Sequence, residues 1–334
     1  MGALRPQFDE LQQLLDTAEK VVVSGHERAD GDAVGAVSAL RRHLELQGRQ
    51  VTALLSEPLN PRYGFMTFER RYEVYEGERH DALIADADVF IMCDLSSLPR
   101  LGPLLAPLEA SQATTVCVDH HPCEGGGPGA VNLVDPSATA TGCIVYDYIQ
   151  HVGGNIDREI AESVFVSLCT DTGWFRYPNA TPRVMELAAE LAGHRLDIHG
   201  MYRSIYQANS APMLRLLGHV TRTMNEECGG RFVWAMVRRE FQQSLGVTRY
   251  DVDPILDVLR SGESVDVVAL FSELEDGRVS VSLRSRGQPD MNIVARRFGG
   301  GGHVYSAGTT LPADEAESMV KDLVAQLRRE TESL

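Results

Sequence analysis

Three short apolar runs, each ending at a turn or an acid, set the strongest limit on the fold: VVVS at 21–24, DVFIMCD at 88–94 and TTVCVD at 114–119. A run with no polar face reads as a strand buried on both sides. QVTALLS at 50–56 is a fourth candidate strand. The stretches between and around them have helical spacing: Leu11, Leu14, Leu15 and Ala18; residues 33–47; residues 141–150; Ile160, Val164 and Leu168 within 159–170; and 183–192. Strands separated by helices predict a parallel sheet covered on both faces.

The pattern changes after about residue 195. RFVWAMVR, VDVVALFSEL and GRVSVSLRSR read as antiparallel or mixed strands, the last two joined at Glu275-Asp276-Gly277, and a helix over 313–329 closes the chain. At 334 residues two domains are expected. The reading is α/β: a parallel-sheet domain over 1–195, a helical connector over 196–218, and a smaller mixed-sheet α/β domain over 219–334, with the active site expected in the interdomain cleft. The formal charge of −16 argues against a binder of long duplex DNA, although it leaves room for a local anion site. Only Lys20 and Lys321 are lysines. The six cysteines form no CxxC pair and read as buried thiols in a reducing compartment. No apolar run approaches membrane-spanning length and the N-terminus lacks a leader pattern, so a cytoplasmic location without membrane partners is expected.

Four segments concentrate acids and histidines near element ends. GHERADGD carries His26, Asp30 and Asp32 after the first strand. IMCD ends a strand at Asp94, VDHH ends one at Asp119, His120 and His121, and CTDTGWF puts Asp171 at the end of a helix. Taken singly, each acid reads as a cap or turn former, and Asp32 could simply cap the helix at 33. Taken together, the first three lie beyond the carboxyl ends of parallel strands, where ligands bind in open α/β sheets, and the helix can bring the fourth there. Gathered carboxylates repel one another, and divalent cations resolve that conflict. Carboxylate and imidazole ligands without thiolate suit manganese, ahead of cobalt, magnesium or zinc, and imply phosphoester or phosphoanhydride hydrolysis.

In the second half, Gly299 to Gly302 and His303 read either as a tight turn or as a phosphate cradle. Residues 278–297 hold five arginines and one acid. Arg284 and Arg286 are expected on one strand face, where guanidinium forks suit phosphate, and Arg296 and Arg297 on a solvated helix face. GGGPG at 125–129 reads as a surface loop. Thr139 and Thr141 either orient neighbouring groups or cap the helix at 141, capping being the simpler reading. Arg100 reads as a substrate contact or a surface cation.

The combination of HERADGD, Asp94, DHH and DTGWF resembles the DHH phosphoesterase superfamily. VSLRSRG at 281–287 and RFGGGGHVYSAG at 297–308 resemble the DHH-associated (DHHA1) domain. Together they cover nearly the whole chain, and the layout is most similar to the bacterial nanoRNase and pAp phosphatase branch. Two departures are small: ERA precedes Asp30 where Pro is often found, and SAG stands at 306–308 for the usual AAG. The resemblance implies two Mn2+ ions, with Co2+ or Mg2+ as substitutes. It places one on His26, Asp30 and Asp94, and the other on Asp32, Asp94, His120 and Asp171, with a water between them as nucleophile. His121 would act on the substrate phosphate or leaving oxygen, Asp119 would orient a neighbour, and Arg284, Arg286, Gly300, Gly301, Gly302 and His303 would bind substrate.

The implied activity is hydrolysis of short oligonucleotides to mononucleotides and of adenosine 3′,5′-bisphosphate (pAp) to AMP. The partners would be short oligonucleotides and nucleotide phosphates, and a homodimer is left open. The alternatives are a cyclic or linear dinucleotide phosphodiesterase of c-di-AMP or pApA type and, from another class, an RNA-binding module without catalysis. Pyrophosphatase and RecJ-type exonuclease fit less well.

Overall fold

The computed structural model describes residues 4–66, 72–247 and 253–334. The chain forms two compact units, Met1–Gln207 and Ala208–Leu334. The first contains α1 (Arg5–Thr17), β1 (Lys20–Gly25), α2 (Gly31–Leu46), β2 (Gln50–Leu55), β3 (Glu73–Val74), α3 (Glu78–Ala85), β4 (Val89–Cys93) and α4 (Leu105–Ala110). It continues through β5 (Thr114–Asp119), β6 (Val131–Val134), α5 (Thr141–His151), α6 (Arg158–Asp171), α7 (Pro182–Ala192) and α8 (Ile198–Tyr206).

Its six strands are ordered β3-β2-β1-β4-β5-β6 and all pair in parallel. Alternate residues enter two cores. Val21, Val23, Ile91 and Val118 pack on one face of the sheet; Val22, Phe90, Met92 and Cys117 pack on the other. This is why the strands lack a polar face. β3 and β6 were not foreseen, being two and four residues long.

Helix α6 runs antiparallel to α2, and small residues let the pair approach closely. A Cβ at Gly31 would lie 2.3 Å from Thr170 Cγ2; one at Gly35 would lie 2.4 Å from Ser163 O and 2.8 Å from Ser167 Cβ. Farther along, the buried Arg41 pairs with Glu159. That register carries the C-terminal end of α6 to the N-terminal end of α2.

The second unit contains α9 (Ala211–Thr223), β7 (Asn225–Glu227), β8 (Phe232–Val237), α10 (Arg239–Leu245), α11 (Asp253–Arg260), β9 (Val267–Glu273) and β10 (Val279–Ser285). It ends with α12 (Met291–Arg296), β11 (Gly301–Gly302), β12 (Ser306–Leu311) and α13 (Ala316–Glu332). Its sheet is ordered β11-β12-β10-β9-β8-β7 and is mixed: β8 and β9 are parallel, the other neighbours antiparallel. Phe232, Ala269 and Leu283 enter one core; Val233, Ala235 and Leu270 enter another. Among the described residues, no helix is long and apolar enough to cross a membrane.

Candidate metal centre

From β1 the chain steps to β2 and β3 on one side, then returns to lay β4 on the other. Such a switch point opens a crevice at the carboxyl ends of the two strands. His26 and Asp30 follow β1, and Asp94 follows β4. Asp94 has φ of 60°, a left-handed conformation uncommon outside glycine, and its N–H continues the sheet by donating to Val118 O at 2.9 Å.

Two trios form there. In the first, His26 Nε2 lies 3.8 Å from Asp30 Oδ1 and 3.4 Å from Asp94 Oδ2. In the second, His120 Nε2 lies 3.0 Å from Asp171 Oδ2 and 3.4 Å from Asp32 Oδ2. Asp94 Oδ1 is 3.8 Å from His120 Nε2, so Asp94 reaches both trios. In each trio one ligand atom per residue lies within 4.8 Å of the others. His26 Nδ1 is 2.7 Å from Glu27 O and His120 Nδ1 is 3.3 Å from Ala138 O. Those contacts occupy one ring nitrogen and leave Nε2 among the carboxylates, as a metal-ligating histidine requires. The six side chains therefore fit two hard-to-borderline divalent ions.

The electrostatics agree. Burial first, then the charges of Asp94 and Asp171, holds the Asp32 carboxyl well above its ordinary range. Burial raises Asp171 to about 6 against its hydrogen bond to His120. Burial alone would lower His26 and His120, but their aspartate partners outweigh it and raise them to about 10 and about 11. Without cations the cluster thus holds protons.

Asp32 does not cap its own helix. That task falls to Asp30, whose Oδ1 accepts from Asp32 N (3.0 Å) and Ala33 N (3.1 Å). Asp32 instead caps α5 from a distance: its fully buried carboxylate accepts from Thr141 N (2.8 Å), Gly142 N (3.1 Å) and Ser167 Oγ (2.5 Å). The Thr141 hydroxyl is not a cap either; it donates to Asp94 Oδ1 at 3.3 Å. Thr141 therefore touches one acid of each trio. Thr139 Oγ1 donates to Asn179 O at 3.5 Å.

Asp119 Oδ1 accepts from His121 N (3.1 Å) and Nδ1 (2.7 Å), while its buried Oδ2 has no hydrogen-bond partner among the described residues. His121 Nδ1 is also 3.3 Å from Asp94 Oδ1. Burial opposes the charge on His121, but hydrogen bonds to Asp119 and Asp94 raise it to about 9. Arg100 O accepts from Glu27 N at 2.7 Å, and the Arg100 charge works against protonation of His26.

In the second unit, Arg284 projects from β10 on the face opposite Val281 and Leu283, paired in register with Ser306. Arg286 follows the last residue of β10, where its N–H continues the ladder by donating to Asp266 O at 3.0 Å; its Nη2 donates to Gly262 O at 2.8 Å. The N–H groups of Gly299 and Gly300 close the end of α12 on Arg296 O and Ala295 O. A Cβ at Gly300 would lie 2.1 Å from Gly308 O, and one at Gly302 2.5 Å from Ser306 O, so close backbone packing explains both glycines. Gly301 has open space, and His303 N donates to Ser306 O at 2.7 Å. Arg296 and Arg297 are exposed.

Known proteins resemble the chain over the same regions. The family model for the DHH family, N-terminal domain, matches residues 20–168, and that for the DHHA1 domain matches residues 229–329. A bifunctional oligoribonuclease and PAP phosphatase NrnA from Thermus thermophilus is 29% identical over 98% of this chain and 97% of its own. The protein of the same name from Bacillus subtilis is 26% identical over 94% and 96%. The crystal structure of an exopolyphosphatase-related protein from Bacteroides fragilis matches with a TM-score of 0.88 at 24% identity, over 98% of both chains. Exonuclease RecJ bound to manganese shares the fold at a TM-score of 0.56 and 15% identity, over 99% of this chain and 96% of that one. Residues 20–168 of the first unit thus form a DHH family N-terminal domain, and residues 229–329 of the second a DHHA1 domain.

Proposed function

We propose that the protein is a manganese-dependent phosphoesterase that hydrolyses short oligoribonucleotides to mononucleotides and pAp to AMP. The observation that carries this reading is the pair of His-Asp-Asp trios joined by Asp94. The relatives named as bifunctional oligoribonuclease and PAP phosphatase support the substrate class. His26, Asp30 and Asp94 would hold one ion, and Asp32, Asp94, His120 and Asp171 the other. When bound, such ions acidify a water and polarise a phosphoryl oxygen.

The remaining roles belong to the protein's own groups. Asp119 fixes the His121 ring through Nδ1 and its main-chain N–H. Hydrogen bonds to Asp119 and Asp94 favour the charged His121 ring, and a charged ring can give the Nε2 proton to the leaving oxygen. Arg284, Arg286 and His303 are proposed to bind substrate phosphate, with Gly300, Gly301 and Gly302 shaping the turn that presents His303. The complete ligand set speaks against a binding module without catalysis.

The test is a substrate panel with manganese: pAp, pApA, cyclic dinucleotides, pyrophosphate and RNA of increasing length. Di- to tetranucleotides should be cleaved with higher kcat/KM than strands of ~20 nucleotides, because long single strands need a basic track and the chain carries a formal charge of −16. Absence of mononucleotide release from every oligonucleotide would overturn the reading.

A further inference from the structure

Gly173, Trp174 and Phe175, immediately after the metal-centre residue Asp171, have successive left-handed backbones with φ of 54°, 61° and 63°. For bulky aromatic residues that conformation is an outlier. It persists only where neighbouring contacts impose it, and such strain gathers at functional sites. The contacts are present: Trp174 N donates to Cys169 O (2.6 Å), Phe175 N to Thr172 Oγ1 (3.0 Å), and the Arg176 and Tyr177 N–H groups to Thr172 O.

The turn lays Trp174 against α8. Its ring centroid is 5.1 Å from that of Tyr202 and 5.7 Å from that of Tyr206; the two tyrosines, one helical turn apart, are 5.5 Å apart and tilted by 30°. All three rings are only partly buried, and the exposed Arg176 guanidinium stands 5.9 Å from the Tyr206 ring centre. A second connection leads back to the acids. Arg62 Nη1 donates to Ile205 O at 2.6 Å, fastening residues 61–66 to α8. From that segment the buried Tyr63 hydroxyl meets the Gly31 N–H, between Asp30 and Asp32 in sequence.

We propose that Trp174, Tyr202, Tyr206 and Arg176 form a nucleobase-stacking surface beside the metal centre. The proposal rests on the phosphoesterase reading above and adds to it that substrate is selected for its base as well as its phosphate. Aromatic faces with a neighbouring guanidinium bind bases of any sequence, and one stacked base is worth roughly ten- to a hundredfold in affinity.

Two measurements test this. Trp234→Phe leaves Trp174 as the protein's single tryptophan. AMP, without added metal and with Mn2+, should quench its fluorescence, and ribose 5-phosphate should not. In steady state, Tyr206→Leu should raise KM for pAp about tenfold more than KM for ribose 3,5-bisphosphate, and Tyr206→Phe should restore it. Equal binding of AMP and ribose 5-phosphate, or an equal rise of KM for both bisphosphates, overturns the stacking surface while leaving the phosphoesterase reading intact. If the parent protein hydrolyses neither bisphosphate nor any oligonucleotide, the phosphoesterase reading falls, and the stacking surface falls with it.

Discussion

The two trios use the same residue types but are supported differently. In the first, Asp30 is more than half exposed, at 54%, and one of its oxygens already caps α2. In the second, Asp32 is fully buried and receives three hydrogen bonds from α5 and α6. The first is therefore a surface-facing site built on one loop and a strand end. The second is part of the packing that joins three helices. Identical ligand chemistry thus carries unequal structural consequences.

The sharpest way to break the comparison is Asp94→Ala, since Asp94 reaches both trios. Turnover should fall to the detection limit and elemental analysis should show loss of bound metal, while the fold survives. Near-normal turnover by the folded variant would end the shared-ligand assignment.

Next in size is His121→Ala. His121 belongs to neither trio, so metal content should match the parent while kcat falls by ~10²-fold or more. Loss of a metal equivalent would move His121 among the ligands.

Asp32→Asn and Asp30→Asn separate the trios directly. Asn at 32 keeps one acceptor oxygen for Gly142 N and Ser167 Oγ but turns its amide NH2 toward the Thr141 N–H, which costs ~1–3 kcal/mol and should lower the Tm by several degrees. Asn at 30 is itself a good helix cap, so its Tm should stay near the parent value. Both variants should bind manganese more weakly. A similar Tm for both would mean that the hydrogen bonds to Asp32 contribute little.

The metal-free protein should also betray its protons. His26 and His120 are raised to about 10 and about 11, above the ordinary histidine value of 6.5. Their contribution to stability is full below pH 6.5 and is lost as pH rises through 10–11. Metal requires the neutral rings, so affinity should climb over the same interval. Calorimetry from pH 7 to 10 should show a falling metal-free Tm and strengthening metal uptake; flat profiles would place the histidines outside the carboxylate field.

The smallest effect belongs to Thr141→Val. It removes the hydroxyl at Asp94 but keeps the N–H at Asp32, so metal affinity should weaken by roughly tenfold or less. Thr141→Ser should restore it. An unchanged affinity in the valine variant would make the hydroxyl a spectator.

Much of this was legible in the residues alone. Unbroken apolar runs required a sheet buried on both faces, and acids at their ends marked one edge. The six side chains of the two trios could be picked out because each lies near the end of an element whose type the local pattern reveals. What escaped depends on distant partners. Asp32 beside an apolar helical stretch has the local signature of a cap, and nothing nearby records that its partners are Thr141, Gly142 and Ser167. Of the two readings open for Thr141, capping was the simpler for the same reason, and the structure favours the other. The left-handed backbone at Trp174 leaves no trace in composition, since residue type argues against it.

The close seam between α2 and α6 has a consequence for how such a chain can diversify. Gly31 and Gly35 contribute no functional group, yet a methyl at either would wedge the helices apart and draw Asp32 away from Asp171. In a saturation library selected for turnover, these two glycines should be nearly as invariant as the acids themselves. Exposed positions on the same helix, such as Leu46, should drift freely. Selection for a reaction can therefore freeze residues whose only contribution is to be small.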